Sequence, residues 1–371
     1  MLHDMKDMKD MKDQNIQLSV MLAQFGRHQF SDRFFSYLKK TSCPYPIIYA
    51  DGNADGFSSD LCQKYKSDLD IKLVEYKQSQ KFKDYFTMMV KGLEAVQTPY
   101  VMLCDNDDFI IYSSIEKLLT FLNNNPSYVS AGSPIIEMQI DNFSTKHHGD
   151  KATLVGSYAH FRDEEPLPAW ADQIHDTFIK FQPNFYHIYK REVLLEIWKE
   201  ILECNFSDLT IMEFYYQLRA PTFGKQHSDP SITHYIRQTG SGTWESQHYD
   251  FSRELVYNNL PKDIRLVADR MSKIYSEDFN EDNRNMYTTI LDSYAEHLNN
   301  YLPHNVMRFR WPRLFSMKLS ILKITNKFMI LHNLKLSLKE FRFKRKLKKI
   351  MGNSYPRFIQ EISKIKSIIE D

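Results

Sequence analysis

Long apolar runs are missing from this sequence. No stretch approaches the roughly 18 apolar residues that a membrane-spanning helix needs, which argues against an integral membrane protein of the helical type. The first residues also lack the apolar centre of a secretory signal peptide, so a cytoplasmic location is expected. Cysteine is scarce: Cys43, Cys62, Cys104 and Cys204 are scattered, and no C-x-x-C pair supports a zinc knuckle or a redox motif. Free thiols in a reducing compartment are the simplest reading. Net charge is nearly absent as well, at +1.

That small sum conceals an asymmetry. From Leu302 to Met351 there are fourteen Lys and Arg against one acid, Glu340, while the other residues hold 34 basic and 46 acidic side chains. An acidic body thus carries a basic tail. No base-reading or stacking module accompanies the positive charge, which sets nucleic acid aside as a partner. The 371 residues suffice for a large core, and the 14% aromatic share suits both a core and sugar-binding surfaces. At the start, Asp4 to Asp13 read "DMKDMKDMKD", a mixed-charge repeat too short to bury a core and expected to be a frayed helix or disordered.

Periodicity suggests the elements. Ile16 to Leu22 is strand-like and "RFFSYLKK" has helical spacing. Ile47 to Ala50 gives a second short strand that runs into the turn "DGNADG". Residues 81 to 97 place Phe82, Phe86, Met89 and Leu93 on one helical face, and Pro99 stops that helix. A strand at Val101 to Cys104, a helix over "SSIEKLLTFLNNNP" capped by Ser113 or Ser114, and a strand at "YVSAGS" follow. The alternation over residues 16 to 133 predicts a doubly wound α/β unit. Residues 134 to 185 are mixed; helical signals return at "REVLLEIWKEIL", at "DLTIMEFYYQLR" and over residues 251 to 300. In the tail, Pro312 suits a first helical turn, and Leu314, Met317, Ile321, Ile324, Phe328 and Leu331 continue through Leu334, Leu338 and Phe341 as an apolar stripe. A last helix begins near Pro356 with Phe358, Ile362, Ile365 and Ile369 on its apolar side.

The chemistry concentrates at "YVMLCDNDDF", where Asp105, Asp107 and Asp108 stand directly behind an apolar run. A strand buried on both faces reads as such a run. Its acids then sit at the carboxyl edge of an open sheet, where ligands bind. Crowded carboxylates repel unless a cation or donors offset them, so the pattern suggests a divalent metal or a polyol. The bland alternative is a polar loop or helix cap.

The order of these motifs resembles the family-2-like glycosyltransferases of bacterial surface-polysaccharide synthesis. "LSVMLAQFGRHQFSDRFFSYL" is similar to that family's opening strand, turn and first helix, with Arg27 kept. "YADGNADG" is similar to "VDDGSTD", with Asp51, Gly52 and Asp55 matching and Ala50 replacing the first acid. "CDNDDF" resembles the D-x-D-D signature, and "MEFYYQLR" the "EDxDLxxR" helix, with Glu213 at the base position, Arg219 at the Arg and Met212 replacing an acid. The resemblance covers residues 17 to 245. It implies a GT-A fold, Rossmann-like, with a mixed, mostly parallel sheet and flanking helices, to which charge and periodicity add a helical basic region at the C-terminus. Taken with composition and periodicity, the expected division is a charged repeat (1–15), a GT-A domain (16–250), a helical extension (251–301) and basic amphipathic helices (302–371).

It further implies an inverting, metal-dependent transfer from a nucleotide-diphosphate sugar to a glycan or lipid-linked hydroxyl acceptor. Asp107 is the first expected ligand of Mg²⁺ or Mn²⁺, and Asp105 meets the ribose or the ion's water shell; His234 or His248 is read either as completing the metal shell or as a surface or structural histidine. Donor binding falls to Arg27, Asp51, Asp55, Asp105 and Arg237, the last with the Gly-Ser-Gly loop after it as a lid over the diphosphate. Glu213 is the expected base, and Asp208 the reserve, although "FSDLTIME" equally reads as a capping box with Asp208 at a helix start. Trp170 is read as a sugar platform or core packing, and "KHHGD" at residues 146 to 150 as a solvated loop. The tail is expected either on an anionic membrane surface, placing the enzyme on the inner face of the cytoplasmic membrane, or packed on the body or a second subunit. The alternative function is a non-catalytic binding or scaffolding protein of the same fold, with a nucleotidyltransferase third.

Overall fold

The computed structural model describes residues 17–53, 55–77, 81–141, 151–157, 169–180, 184–239, 260–310 and 329–370. The charged repeat, the "KHHGD" segment, the Gly-Ser-Gly loop, His248 and the stripe from Leu314 to Phe328 lie outside them.

A seven-stranded sheet organises the chain. Its first half comprises β1 (Leu18–Gln24), β2 (Ile47–Asp51), β3 (Ile71–Glu75) and β4 (Tyr100–Asp105). Beyond β4 lie β9 (Ile188–Lys190), β6 (Tyr128–Gly132) and β10 (Lys225–Ser228), giving the order β10-β6-β9-β4-β1-β2-β3. Every pairing is parallel except those of β9, which is antiparallel to both neighbours. A four-stranded sheet joins β5 (Phe109–Ile110), β11 (Tyr235–Thr239), β7 (Ile136–Asp141) and β8 (Lys151–Ser157) in that order. The mixed, mostly parallel sheet with flanking helices agrees with the GT-A expectation.

The strand sequences are apolar in long runs because both faces of the sheet are covered. Alternate residues feed two cores. Leu18, Val20 and Leu22 of β1 join Ile47, Tyr49, Met102 and Cys104 on one side. Met21, Ile48, Ala50, Val101 and Leu103 point to the other. The first face is covered by α1 (His28–Lys40), α2 (Phe57–Tyr65) and α4 (Tyr112–Asn124). The second is covered by α3 (Phe82–Ala95), α5 (Trp170–Lys180), α6 (Arg191–Cys204), α7 (Leu209–Arg219), α8 (Leu260–Phe279) and α9 (Asn283–Arg310). α3 lies so close to the sheet that a Cβ on Gly92 would come within 2.3 Å of Met21 Cε.

Several local expectations shift. β1 runs two residues later than the apolar run indicated, because its parallel register with β2 continues to Gln24 opposite Asp51. Neither Ser113 nor Ser114 caps α4: the helix starts at Tyr112 without a side-chain cap, and the amide of Ile111 is taken by the carbonyl of His234 at 2.9 Å. α2 and β3 were not foreseen between the second strand and the helix at residue 82. Trp170 lies against Tyr275 and Phe279, with ring centroids 4.9 and 4.7 Å away, so packing is its role.

The C-terminal helices are α10 (Met329–Met351) and α11 (Tyr355–Glu370). As expected, α11 is apolar along Phe358, Ile362, Ile365 and Ile369, and this stripe is buried in the first core, where the helix packs on β8 and α1. It is therefore closed to any lipid surface. In α10 the expected continuation at Phe341 is overturned, for that ring is 65% exposed; the inward row is Phe343, Leu347 and Met351. The reason is phase: Phe341 projects about 200° around the helix from Phe343.

Candidate functional site

The carboxyl ends of β1, β2 and β4 meet at one rim. After β1 the chain turns sharply at Gly26 and Arg27, both with positive φ (68° and 59°), and enters α1. Gly26 supplies the conformation without steric cost; Arg27 holds it while its carbonyl accepts from Phe30 N at 3.0 Å and from Asn106 Nδ2 at 3.2 Å. The turn aims the Arg27 guanidinium at the loop after β4, where it donates to Asp107 Oδ2 at 3.1 Å and to Asn106 Oδ1 at 3.0 Å.

The loop Asp105–Asp108 is clamped from several elements. Arg33 of α1, buried, donates to the carbonyl of Asp107 at 2.8 Å and to Gln238 Oε1 at 2.7 Å. Asp108 accepts from Gln238 N at 2.8 Å and from the Tyr235 hydroxyl at 2.7 Å, which ties β4 to β11. Tyr186, just ahead of β9, donates to Asp105 Oδ2 at 2.5 Å and stacks on Tyr235 with centroids 4.2 Å apart.

Asp105, Asp107 and Asp108 can each present one oxygen such that all three lie within 4.8 Å of one another. Three carboxylate oxygens form a hard donor set that fits Mg²⁺ or Mn²⁺. Charge supports the fit. Burial, and then the charge of Asp107, push the Asp105 carboxyl up; burial, Asp107 and Asp105 push Asp108 well up. A cation there would relieve this repulsion. Sequence reasoning assigned the metal to Asp107 and Asp105 and left Asp108 without a role.

His234 does not belong to that set. Its ring is buried, Nε2 donates to the carbonyl of Tyr186 at 2.8 Å, and Nδ1 accepts from Ser133 Oγ at 2.7 Å. Desolvation holds its pKa down at about 4. With both nitrogens engaged, no lone pair remains for an ion, so the expected ligand is a structural histidine.

Glu213 of α7 faces the acidic loop. Burial raises its carboxyl to about 8, the charge of Arg237 opposing and that of Asp105 adding to the shift. Arg237, on β11, acts on Asp105 and Asp108 in the same lowering sense. The structure therefore brings Arg27, Asp105, Asp107, Glu213 and Arg237 to one rim. Asp208 is instead the N-cap of α7, its Oδ1 accepting from Thr210 N at 2.6 Å and Ile211 N at 3.0 Å. That satisfies helix-end amides, and the capping reading replaces the reserve base. Arg219, from the same motif, pairs with Glu200 at 2.9 Å and lies over the Phe223 ring.

On the β2 side, Asp51 is fully buried; its Oδ1 accepts from Asn53 N at 3.0 Å and Gln24 Nε2 at 3.4 Å, while Oδ2 finds no donor among the described residues. Asp55 is exposed and pairs with His28 Nε2 at 2.9 Å. Phe25 and Phe57, 44% and 43% exposed, stand on this side, and His28 lies 4.5 Å from the Phe57 ring. Gln24 ties the two parts together, since its Oε1 accepts from Tyr49 at 2.7 Å and from Asn106 at 3.4 Å. Gln24, Asn106, Tyr186 and Tyr235 escaped the sequence reading. No local pattern marks them, because each acts across a chain separation of 25 to 130 residues.

Residues 31–198 match the family model described as Glycosyl transferase family 2. No curated protein sequence matches the chain. Similar solved structures include S. aureus TarS 1-349 in complex with UDP-GlcNAc, at 14% identity and a TM-score of 0.46, covering 96% of this chain and 91% of that one. Another is the mannosyltransferase PcManGT from Pyrobaculum calidifontis in complex with GDP-Man and Mn2+, at 10% identity and a TM-score of 0.39, covering 92% and 94%.

Proposed function

We propose that this chain, whose residues 31–198 match the family model described as Glycosyl transferase family 2, transfers a sugar, with inversion, from a nucleotide-diphosphate donor to a hydroxyl acceptor. The observation that carries the reading is the meeting of a carboxyl group of raised pKa, Glu213, with Arg237 and the triad Asp105, Asp107 and Asp108 at one rim.

The nucleoside lies against the β1–β2 side. Asp51 Oδ2, buried and without a donor among the described residues, accepts from an N–H of the base or a hydroxyl of the ribose, and Phe25 and Phe57 offer faces for stacking. Arg27 and Arg237 flank the diphosphate. Asp107 with Asp105 and Asp108 would hold Mg²⁺ or Mn²⁺, which would supply charge neutralisation for a departing diphosphate. Glu213 in its carboxylate form takes the proton of the acceptor hydroxyl as the new C–O bond forms and the bond to the diphosphate breaks. Tyr186 fixes the orientation of the Asp105 carboxylate.

The acceptor is a glycan or lipid-linked compound of surface-polysaccharide or glycoconjugate synthesis, reached by an enzyme peripheral to the inner face of the cytoplasmic membrane. No described helix is long and apolar enough to cross a membrane.

The test is a melting-shift screen of nucleotide sugars and nucleoside diphosphates with Mn²⁺, followed by donor hydrolysis. One nucleotide should raise the melting temperature and its sugar form should slowly release nucleoside diphosphate; Asp107→Ala should abolish both. A protein unmoved by every nucleotide with metal overturns the reading.

A further inference from the structure

Between Phe341 and Met351 the helix α10 has two sides of opposite character. Phe343, Leu347 and Met351, four residues apart, face the first core. The one acid of this stretch of tail, Glu340, is turned inward too and is neutralised by Lys344 at 3.1 Å and Lys366 at 2.9 Å. Everything left faces solvent. Arg342, Arg345, Lys346, Lys348 and Lys349 are exposed, with no acid among residues 341 to 351.

Two large apolar side chains of this stretch are exposed as well, Phe341 at 65% and Ile350 at 43%. Phe341, Arg345 and Lys348 form one row along the helix at three- and four-residue spacing, with Lys349 and Arg342 about 80° and 100° round from Phe341, whereas Ile350 falls on the opposite side of the helix beside the inward row. Phe341 is the most exposed of the large apolar residues in the described structure.

We infer that this outward face of α10 is a docking surface for an anionic lipid bilayer. The occupant follows from the chemistry. Five cations with no acid partner among the described residues call for a dense negative surface, and each basic residue near such a surface contributes about fivefold to partitioning. The protruding ring of Phe341 gains nothing from a phosphate backbone, whereas the headgroup boundary of a bilayer accepts it. The apolar stripe of α11 plays no part, since it is already buried in the core. α10 packs beside β8, the outer strand of the sheet that also contains Arg237-bearing β11. Docking would thus hold the sheet that bears Arg237 at the membrane. The inference rests on the proposed transfer only for its purpose, since binding to lipid needs no donor.

The experiment is co-sedimentation of the full chain with large vesicles of phosphatidylcholine alone or with about 40% phosphatidylglycerol, at about 0.1 and 0.5 M salt. Binding is expected only with phosphatidylglycerol, weakened at least tenfold by the higher salt. Arg345→Glu with Lys348→Glu and Lys349→Glu should abolish it, and Phe341→Ser should weaken it several-fold. Both variants should keep the parent's melting temperature and its donor hydrolysis in solution. Those controls separate failure of docking from failure of the transferase reading. Equal binding to phosphatidylcholine, no binding at all, or undiminished binding by the triple variant overturns the inference. So does binding to a short DNA duplex as tight as to the anionic vesicles, or a dimer that Phe341→Ser dissolves.

Discussion

The guanidinium of Arg27 lies 3.1 Å from Oδ2 of Asp107. The acid expected to hold the metal thus already carries a cationic partner from the β1–α1 turn. A divalent ion must compete with that partner for the same oxygen, whereas a bound diphosphate offers Arg27 another anion. Arg27→Gln should therefore tighten Mn²⁺ binding without nucleotide by about fivefold, the worth of one charged hydrogen bond near 1 kcal/mol. It should weaken nucleoside diphosphate binding in the presence of Mn²⁺. Titration calorimetry reads both; parallel losses would sink the competition.

Glu213 and Asp208 sit five residues apart and should behave as opposites. Glu213→Gln is expected to lower turnover by about 100- to 10,000-fold while leaving the fold intact. Asp208→Ala removes the cap of α7 and should cost about 1 kcal/mol of stability, with turnover largely kept. Kinetics paired with thermal melts distinguish the two roles.

The carboxyl of Glu213 is pushed up to about 8 by burial, so only its deprotonated fraction can serve as base. In the free enzyme kcat/KM should climb about tenfold per pH unit below 8 and level off above it. Stability should run the other way. Between about pH 4.3 and 8 the folded chain keeps a proton that the unfolded chain releases. This contribution therefore declines as pH rises across that window. Glu213→Gln should flatten both profiles.

His234 works at the acid end. Its pKa of about 4 lies below the ordinary 6.5 because it is buried, so the unfolded state takes up a proton first as pH falls. Its share of stability is full above pH 6.5 and is lost as pH falls toward 4, amounting to about 3 kcal/mol. His187, held well below its ordinary value by burial and then by His234, adds in the same direction. Denaturant melts of the parent and His234→Gln across this range should converge at low pH.

The tail offers a contrast of packing. Ile365 is fully buried, so Ile365→Ala should cost about 2 to 5 kcal/mol. Phe341→Ala, on the exposed face of α10, should change stability by less than about 0.5 kcal/mol. Equal costs would mean that α10 is oriented otherwise.

Much of this was legible in the chain of letters. The apolar runs ending in Gln24, Asp51 and Asp105 mark buried strands, because only a strand covered on both faces needs continuous apolar sequence. Acids at their ends then mark a sheet rim. Arg27, Asp107 and Glu213 follow from motif order, and the stripe of Phe358, Ile362, Ile365 and Ile369 from helical period. These are local properties, encoded by residues close together in the chain.

Contacts between distant segments were decided only by the tertiary structure. Whether His234 met an ion or a carbonyl depended on Ser133 and Tyr186, brought beside it by the pairing of strands far apart in sequence. Asp108 acquired its clamp from β11, and Asp105 its hydroxyl from Tyr186, in the same way. The tail shows the division most clearly: periodicity identifies an amphipathic helix, but a core and a lipid surface demand the same apolar spacing. Only packing against β8 and α1 assigned the stripe of α11 to the protein interior and left the cations of α10 facing outward.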